Sequence, residues 1–268
     1  MEYLWPYILL IMIPVVLKLF MKVKEDGDQE DEREERNKQT NKCNEVPVPT
    51  VPASDLNIED HSIEYYRAHC FDNAEMYQKY FYNSSVIDAQ QNMRALLETE
   101  QHKITKLLMT RKPDKAMEAI DEALNYSDPI RDANARHWFL ISALRDFYSI
   151  RDFDPIIYSL CLTICDYDLS NIENWFRVTD TRVEYQKDSK GRCLFDKKAE
   201  LIYHRNPPPN LETAYKKAII LEKIGDIDGA ISFCEYAIEN DLPDTDGKSF
   251  LSRKERLERK KAKLQKST

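Results

Sequence analysis

Residues 222–241 read EKIGDIDGAISFCEYAIEND. Two of the five glycines in the chain, Gly225 and Gly229, fall in this one turn. Two alanines, Ala230 and Ala237, stand seven apart in the apolar run that follows. Before the turn, Leu211, Ala214, Tyr215, Ala218, Ile219 and Leu221 recur at the short steps of a helix with one apolar face. Pro207, Pro208 and Pro209 stop whatever precedes it, and Asn210 supplies an N-cap. Gly225 ends this helix, because a left-handed residue after a helix costs least as glycine. Asp228 is expected to cap a second helix running to about Asn240, with Pro243 barring its continuation. Ala218, Ala230 and Ala237 are small where two antiparallel helices must touch. The stretch therefore predicts a tight helical hairpin.

The same spacing recurs upstream. In RKPDKAMEAIDEALNYSDP, residues 111–129, Ala116, Ala123 and Pro129 repeat the steps of Ala230, Ala237 and Pro243. Residues 149–170, SIRDFDPIIYSLCLTICDYDLS, align with residues 223–243 so that Asp152 falls on Asp226, Asp154 on Asp228, Ile157 on Ile231 and Ile164 on Ile238. On that alignment Ile156 and Thr163 replace the two alanines, and Leu144 replaces the small residue of the first helix.

These residues resemble a tetratricopeptide repeat, whose pattern wants a small residue in the first helix, a Gly-Asp-like turn, an Ala, another Ala seven later, and a Pro. Ala218, Gly225 with Asp226, Ala230, Ala237 and Pro243 match, with Pro243 one place late and Ala214 where a large aromatic is expected. The resemblance implies three divergent repeats, at about 94–129, 134–169 and 211–243. It also implies an all-α, helix-turn-helix repeat array, an α-solenoid whose first helices line a concave face for a protein or peptide partner. By the same resemblance the partner-binding face carries Trp138, Ile141, Arg145 and Tyr148 in the second repeat. In the third it carries Tyr215, Ile219, Glu222 and Lys223.

On either side of the third repeat the chain changes character. Residues 58–112 run more than fifty positions without proline, at helical apolar spacing, and are rich in Tyr and Phe. Residues 170–206 interrupt the array with β-branched and aromatic residues around the turn-like cluster at 187–191. A small β-hairpin and a loop followed by a helix over 196–205 are the two readings of that insertion. Residues 252–268 carry eight bases and two acids, with Phe250, Leu257 and Leu264 every seven residues. That spacing predicts a terminal helix that caps the array or lays a lysine-rich arm on anionic lipid.

The N-terminus predicts a membrane anchor. Residues 3–21 are apolar except for Lys18 and include eleven Leu, Ile, Val and Phe residues. As a helix they would reach roughly 28 Å, close to the thickness of the hydrocarbon core. There is no basic segment before the apolar run and no small-residue cleavage pattern after it, so a cleaved signal peptide fits poorly. Lys18, Lys22 and Lys24 lie at its C-terminal end, which puts the bulk of the chain on the cytoplasmic side. Residues 25–57, an acidic run followed by NEVPVPTVPAS, read as a solvated tether.

Composition closes off other classes. The net charge of −8 gives no basic domain of the kind nucleic acid selects, so no nucleic-acid partner is expected. Six scattered cysteines fit reduced thiols better than a stapled fold. Cys161 and Cys165 share a helical face but lack further metal ligands, and no phosphate loop or nucleophile motif is present, so no metal, cofactor or catalytic residue is expected. The sequence thus reads as a membrane-anchored cytoplasmic adaptor or scaffold. An enzyme or enzyme subunit with its site near 170–206, or a structural organiser of a membrane complex, is the alternative.

Overall fold

The computed structural model describes residues 61–195, 197–208, 211–243 and 249–267. The expected anchor over 3–21, the tether over 25–57 and the proposed cap Asn210 lie outside them. Among the described residues no helix is long and apolar enough to cross a membrane. The fold is mostly helical, with ten helices and one two-stranded sheet among the described residues.

The proline-free stretch is three helices, not one: α1 (Ile63–His69), α2 (Ala74–Phe81) and α3 (Ser84–Met109). Short polar side chains set the breaks by satisfying the free N–H groups of each new first turn. Ser62 Oγ accepts from Tyr65 N, Asn73 Oδ1 from Met76 N, and Asn83 Oδ1 from Ser85 N. Tyr66, Cys70, Tyr80 and Val86 then close a small aromatic core.

Three helical hairpins follow. The first pairs α3 with α4 (Pro113–Tyr126), which has Pro at its first position, where no N–H is needed. The second pairs α5 (Ala133–Ser149) with α6 (Ile156–Ser170), and α5 lies on α3. The third pairs α8 (Glu212–Lys223) with α9 (Ile227–Glu239), and α8 lies on α6. Between the second and third stand α7 (Ile172–Asp180) and the antiparallel strands β1 (Thr181–Glu184) and β2 (Glu200–Tyr203), paired from Thr181 with Tyr203 to Glu184 with Glu200. This hairpin replaces the alternative of a helix over 196–205. The sheet packs on α2, where Gln78 Nε2 donates to the Tyr185 hydroxyl at 2.5 Å. A last helix, α10 (Phe250–Ser267), packs on α9.

The two glycines of the third turn do different work. Gly225 adopts φ +87°, the left-handed region. Gly229 makes room for a cap: Asp226 Oδ1 accepts the Gly229 N–H at 2.8 Å, and a Cβ at Gly229 would fall 2.1 Å from Asp226 Oδ2. The capping residue is therefore Asp226, not Asp228. Asp228 sits in the first turn, where its charge suits the helix dipole. At the start of α8, Leu211 occupies the cap position without a side-chain hydrogen bond.

Ala116, Ala123, Ala230 and Ala237 are all buried at the helix contacts. In the second hairpin the expected alignment is one residue out of register. Ile156 is 47 % exposed and Thr163 half-buried, while Ile157 and Ile164 are buried and stand seven apart. They are the counterparts of Ala230 and Ala237. The turn between α5 and α6 spans 150–155, against 224–226 in the third hairpin, and the longer turn shifts the inward face. Leu144 is fully buried where the repeat pattern wants a small side chain.

Candidate functional site

The eight residues expected on the partner face fall into distinct surroundings. On α5, Trp138 is 54 % exposed, whereas Ile141 is 4 % exposed and belongs to the interior. Since α5 packs on α3 and α6 together, its buried stripe is wide enough to take Ile141 out of any surface. Arg145 bonds Glu212 Oε2 through Nε and Nη2, at 2.9 and 2.6 Å, tying α5 to α8. Tyr148, half-buried, has the cations of Arg151, Lys216 and Lys223 at 4.3, 4.1 and 5.9 Å from its ring centre. On α8, Ile219 is half-buried, and Tyr215 lies beneath the Arg253 guanidinium of α10 at 5.3 Å.

Trp138 opens onto a groove between α3 and α5 of about 490 Å³. The α3 wall sets Arg94, Glu98, Gln101 and His102 around Leu97, and the α5 wall sets Asn134 and Ser142 beside Ala135 and Phe139. The α3 residues were missed from sequence, although they follow one another at steps of four, three and one along a helix whose buried positions are Val86, Leu97, Ile104 and Leu108. Gln101 is held by Asp146, whose Oδ2 accepts from Gln101 Nε2 at 2.8 Å and Thr105 Oγ1 at 2.6 Å.

Glu222 is occupied by the chain's own C-terminal helix. Arg256 donates to both carboxylate oxygens, at 2.6 and 2.5 Å, and Arg253 and Lys260 stand within 3.5 Å. Lys254 pairs with Glu235 and Lys261 with Asp228, while Phe250 and Leu257 are buried against the third hairpin. Leu264, the third member of that heptad series, is exposed. The Arg256 hydrogen bonds hold the Glu222 carboxyl at about 2, against the opposing effect of burial. A depressed carboxyl stabilises the fold above its unfolded value near 4.5, and that contribution is lost as pH falls toward 2. After screening at the half-exposed Arg256, it is worth about 1–2 kcal/mol. Amide protection in α10, taken relative to the intrinsic exchange rate at each pH, should therefore fall between pH 4.5 and 2 ahead of that in α3, and Glu222→Gln should give the same loosening at neutral pH. Equal protection of α10 in both proteins would contradict this assignment.

One polar cluster lies inside the molecule. His137 Nδ1 donates to Asp168 Oδ1 at 2.7 Å, and Thr213 Oγ1 donates to Asp168 Oδ2 at 2.6 Å. The imidazole stacks on Trp175 at 3.7 Å, and Trp175 Nε1 donates to Asn134 at 3.1 Å. The cluster joins α5, α6, α7 and α8. The threonine hydroxyl bonds the carboxylate rather than the imidazole, so the trio is not a nucleophile with its base. All three side chains are sealed from solvent. A second pin is Arg136, whose Nη1 donates to Leu124 O, Ser127 O and Ser127 Oγ and so caps the end of α4. Among the described residues no group of three or more His, Cys, Asp or Glu side chains is arranged to hold a metal ion.

No family model, curated protein or solved structure matches this chain.

Proposed function

We propose that this protein is a membrane-anchored adaptor that captures an extended segment of a protein partner in the groove between α3 and α5. Residues 3–21 would hold it in the bilayer with the bulk of the chain on the cytoplasmic side, and residues 25–57 would tether a tetratricopeptide-like array of three hairpins. The observation that carries the reading is the half-exposed indole of Trp138 over an open groove whose walls mix apolar and hydrogen-bonding side chains. Most of the other large aromatic side chains on the hairpin helices are packed, and a wide apolar ring beside hydrogen-bonding groups is what a peptide anchor needs. His102 and Ser142 offer hydrogen bonds to the backbone of such a segment. Between the second and third hairpins the Arg145–Glu212 pair and the α10 pairs with Glu222 occupy the corresponding face, whereas the α3–α5 groove is open.

The test is site-specific photocrosslinking from the full chain in its own membrane. A photoreactive amino acid at position 138 should give adducts with one polypeptide segment, and a synthetic copy of that segment should compete them away. The same group at position 126, exposed at the far end of α4, should give none of them. No adduct from 138, or identical adducts from 126, would overturn the reading.

A further inference from the structure

The turn between α3 and α4 is ringed with positive charge. Lys106, Arg111, Lys112 and Lys115 are all exposed there, and none forms an ion pair with another described residue. Met109 stands in their midst, 79 % exposed. Arg111 holds its guanidinium 5.3 Å over the ring of Phe153, which is 71 % exposed at the tip of the next turn. The two turn tips therefore form one edge, and Arg151 extends it. The acids on this edge are Asp114, Asp152 and Asp154. Asp152 lies 3.8 Å from Arg151, and Asp154 Oδ1 accepts the Ile156 N–H. Cations outnumber them.

The backbone adds a second observation. Arg111 has φ +56°, and the following Lys112 N–H bonds Leu107 O at 3.0 Å, the geometry that ends a helix on a left-handed residue. Glycine is the low-cost residue at such a position. The arginine there places a cation at the tip against the backbone preference, as Asp241 at φ +49° does for an acid at the end of α9.

Five of the eight α10 bases are a different case, since Arg253, Lys254, Arg256, Lys260 and Lys261 face acids of α8 and α9. The turn edge has its charge outward and two large apolar side chains projecting among the cations. A soluble acidic peptide would meet the charges and leave Met109 and Phe153 in water. An anionic bilayer satisfies both, with headgroup phosphates outside and hydrocarbon beneath. We propose that the edge built by Met109, Arg111 and Phe153 docks on the anionic headgroup layer of a membrane, with Lys106, Lys112 and Lys115 holding lipid phosphates. The anchored reading enters only as proximity to a bilayer.

The full chain, reconstituted in phosphatidylcholine vesicles with or without about 30 mol % phosphatidylserine, tests this through a fluorescent amino acid at position 153 and lipids brominated in their acyl chains. Quenching at 153 should appear in the anionic vesicles and fade in the neutral ones. Each cation near such a surface is worth about a fivefold change in association, so Lys106→Glu, Lys112→Glu and Lys115→Glu together should weaken docking more than about a hundredfold. Arg111→Gly should raise the melting temperature while reducing the quench, whereas a purely structural Arg111 would leave the quench unchanged. Quenching at 153 that ignores phosphatidylserine and the triple substitution, or that is matched by a probe at 126, would overturn the proposal. A chain stripped from the vesicles by alkaline carbonate would sink the anchored reading instead, and the quench at 153 with vesicles added to the free chain would still decide this one.

Discussion

Asp168→Ala is expected to destabilise the protein by about 3–5 kcal/mol, the cost of leaving two buried donors without the carboxylate that accepts from both. The carboxylate accepts from both His137 and Thr213, which are 3 % and 0 % exposed. Removing it strands two donors that no water can reach, and a stranded buried donor costs more than a made hydrogen bond contributes. For a domain of this size the melting temperature should fall by roughly 10 °C or more. Asp168→Asn keeps an acceptor for one donor and should fall between the two. Asp121→Ala, which removes a single bond from the Tyr167 hydroxyl at 2.8 Å, should cost about 1 kcal/mol. Thermal unfolding of the full chain followed by circular dichroism orders the three variants. Equal melting of Asp168→Ala and Asp121→Ala would show that the buried cluster does not join the hairpins.

Leu144→Ala is the second large effect. The repeat pattern that the third hairpin resembles wants a small residue here, and by that pattern alone the substitution should be harmless. In the structure Leu144 is fully buried among Leu140, Phe147, Ile157 and Cys161, in the core shared by α3, α4, α5 and α6. Removing three carbons should leave a cavity and cost about 2–5 kcal/mol, measured by chemical denaturation. A neutral result would mean that the second hairpin packs as closely as the third and that Leu144 is not needed to fill it.

The contrast marks what local sequence can carry. Hairpin positions follow from small residues and turn glycines, which act within a few positions, so the third hairpin was legible down to the residue that ends its first helix. The cap was misassigned by two positions because Asp226 and Asp228 are equivalent as letters. The folded hairpin separates them: Asp226 accepts the Gly229 N–H, and the missing Cβ of Gly229 leaves room for its carboxylate. Asn73 and Asn83 were also readable as caps, but the absence of proline over that stretch masked them. The slip of the second hairpin came from turn length, which moves an inward face by one residue without changing composition. The site was less accessible still. His137 meets Asp168 across 31 positions, and Glu222 meets Arg256 across 34. No periodicity reports which polar residues a folded chain will bring together, so Glu222 looked open to a partner when α10 already holds it.

The central claim is that α8 and α9 touch through small side chains. Cys234 lies between Ala230 and Ala237 on α9, fully buried, and burial pushes its thiol up to about 11. At pH 8 a soluble thiol reagent should label the partly exposed Cys193 of the folded full chain and leave Cys234 untouched. Ala230→Leu should force the two helices apart, cost about 1–3 kcal/mol or more, and open Cys234 to the reagent. Labelling of Cys234 as fast as Cys193 in the unaltered chain, or protection unchanged by Ala230→Leu, would contradict the close contact on which the hairpin depends.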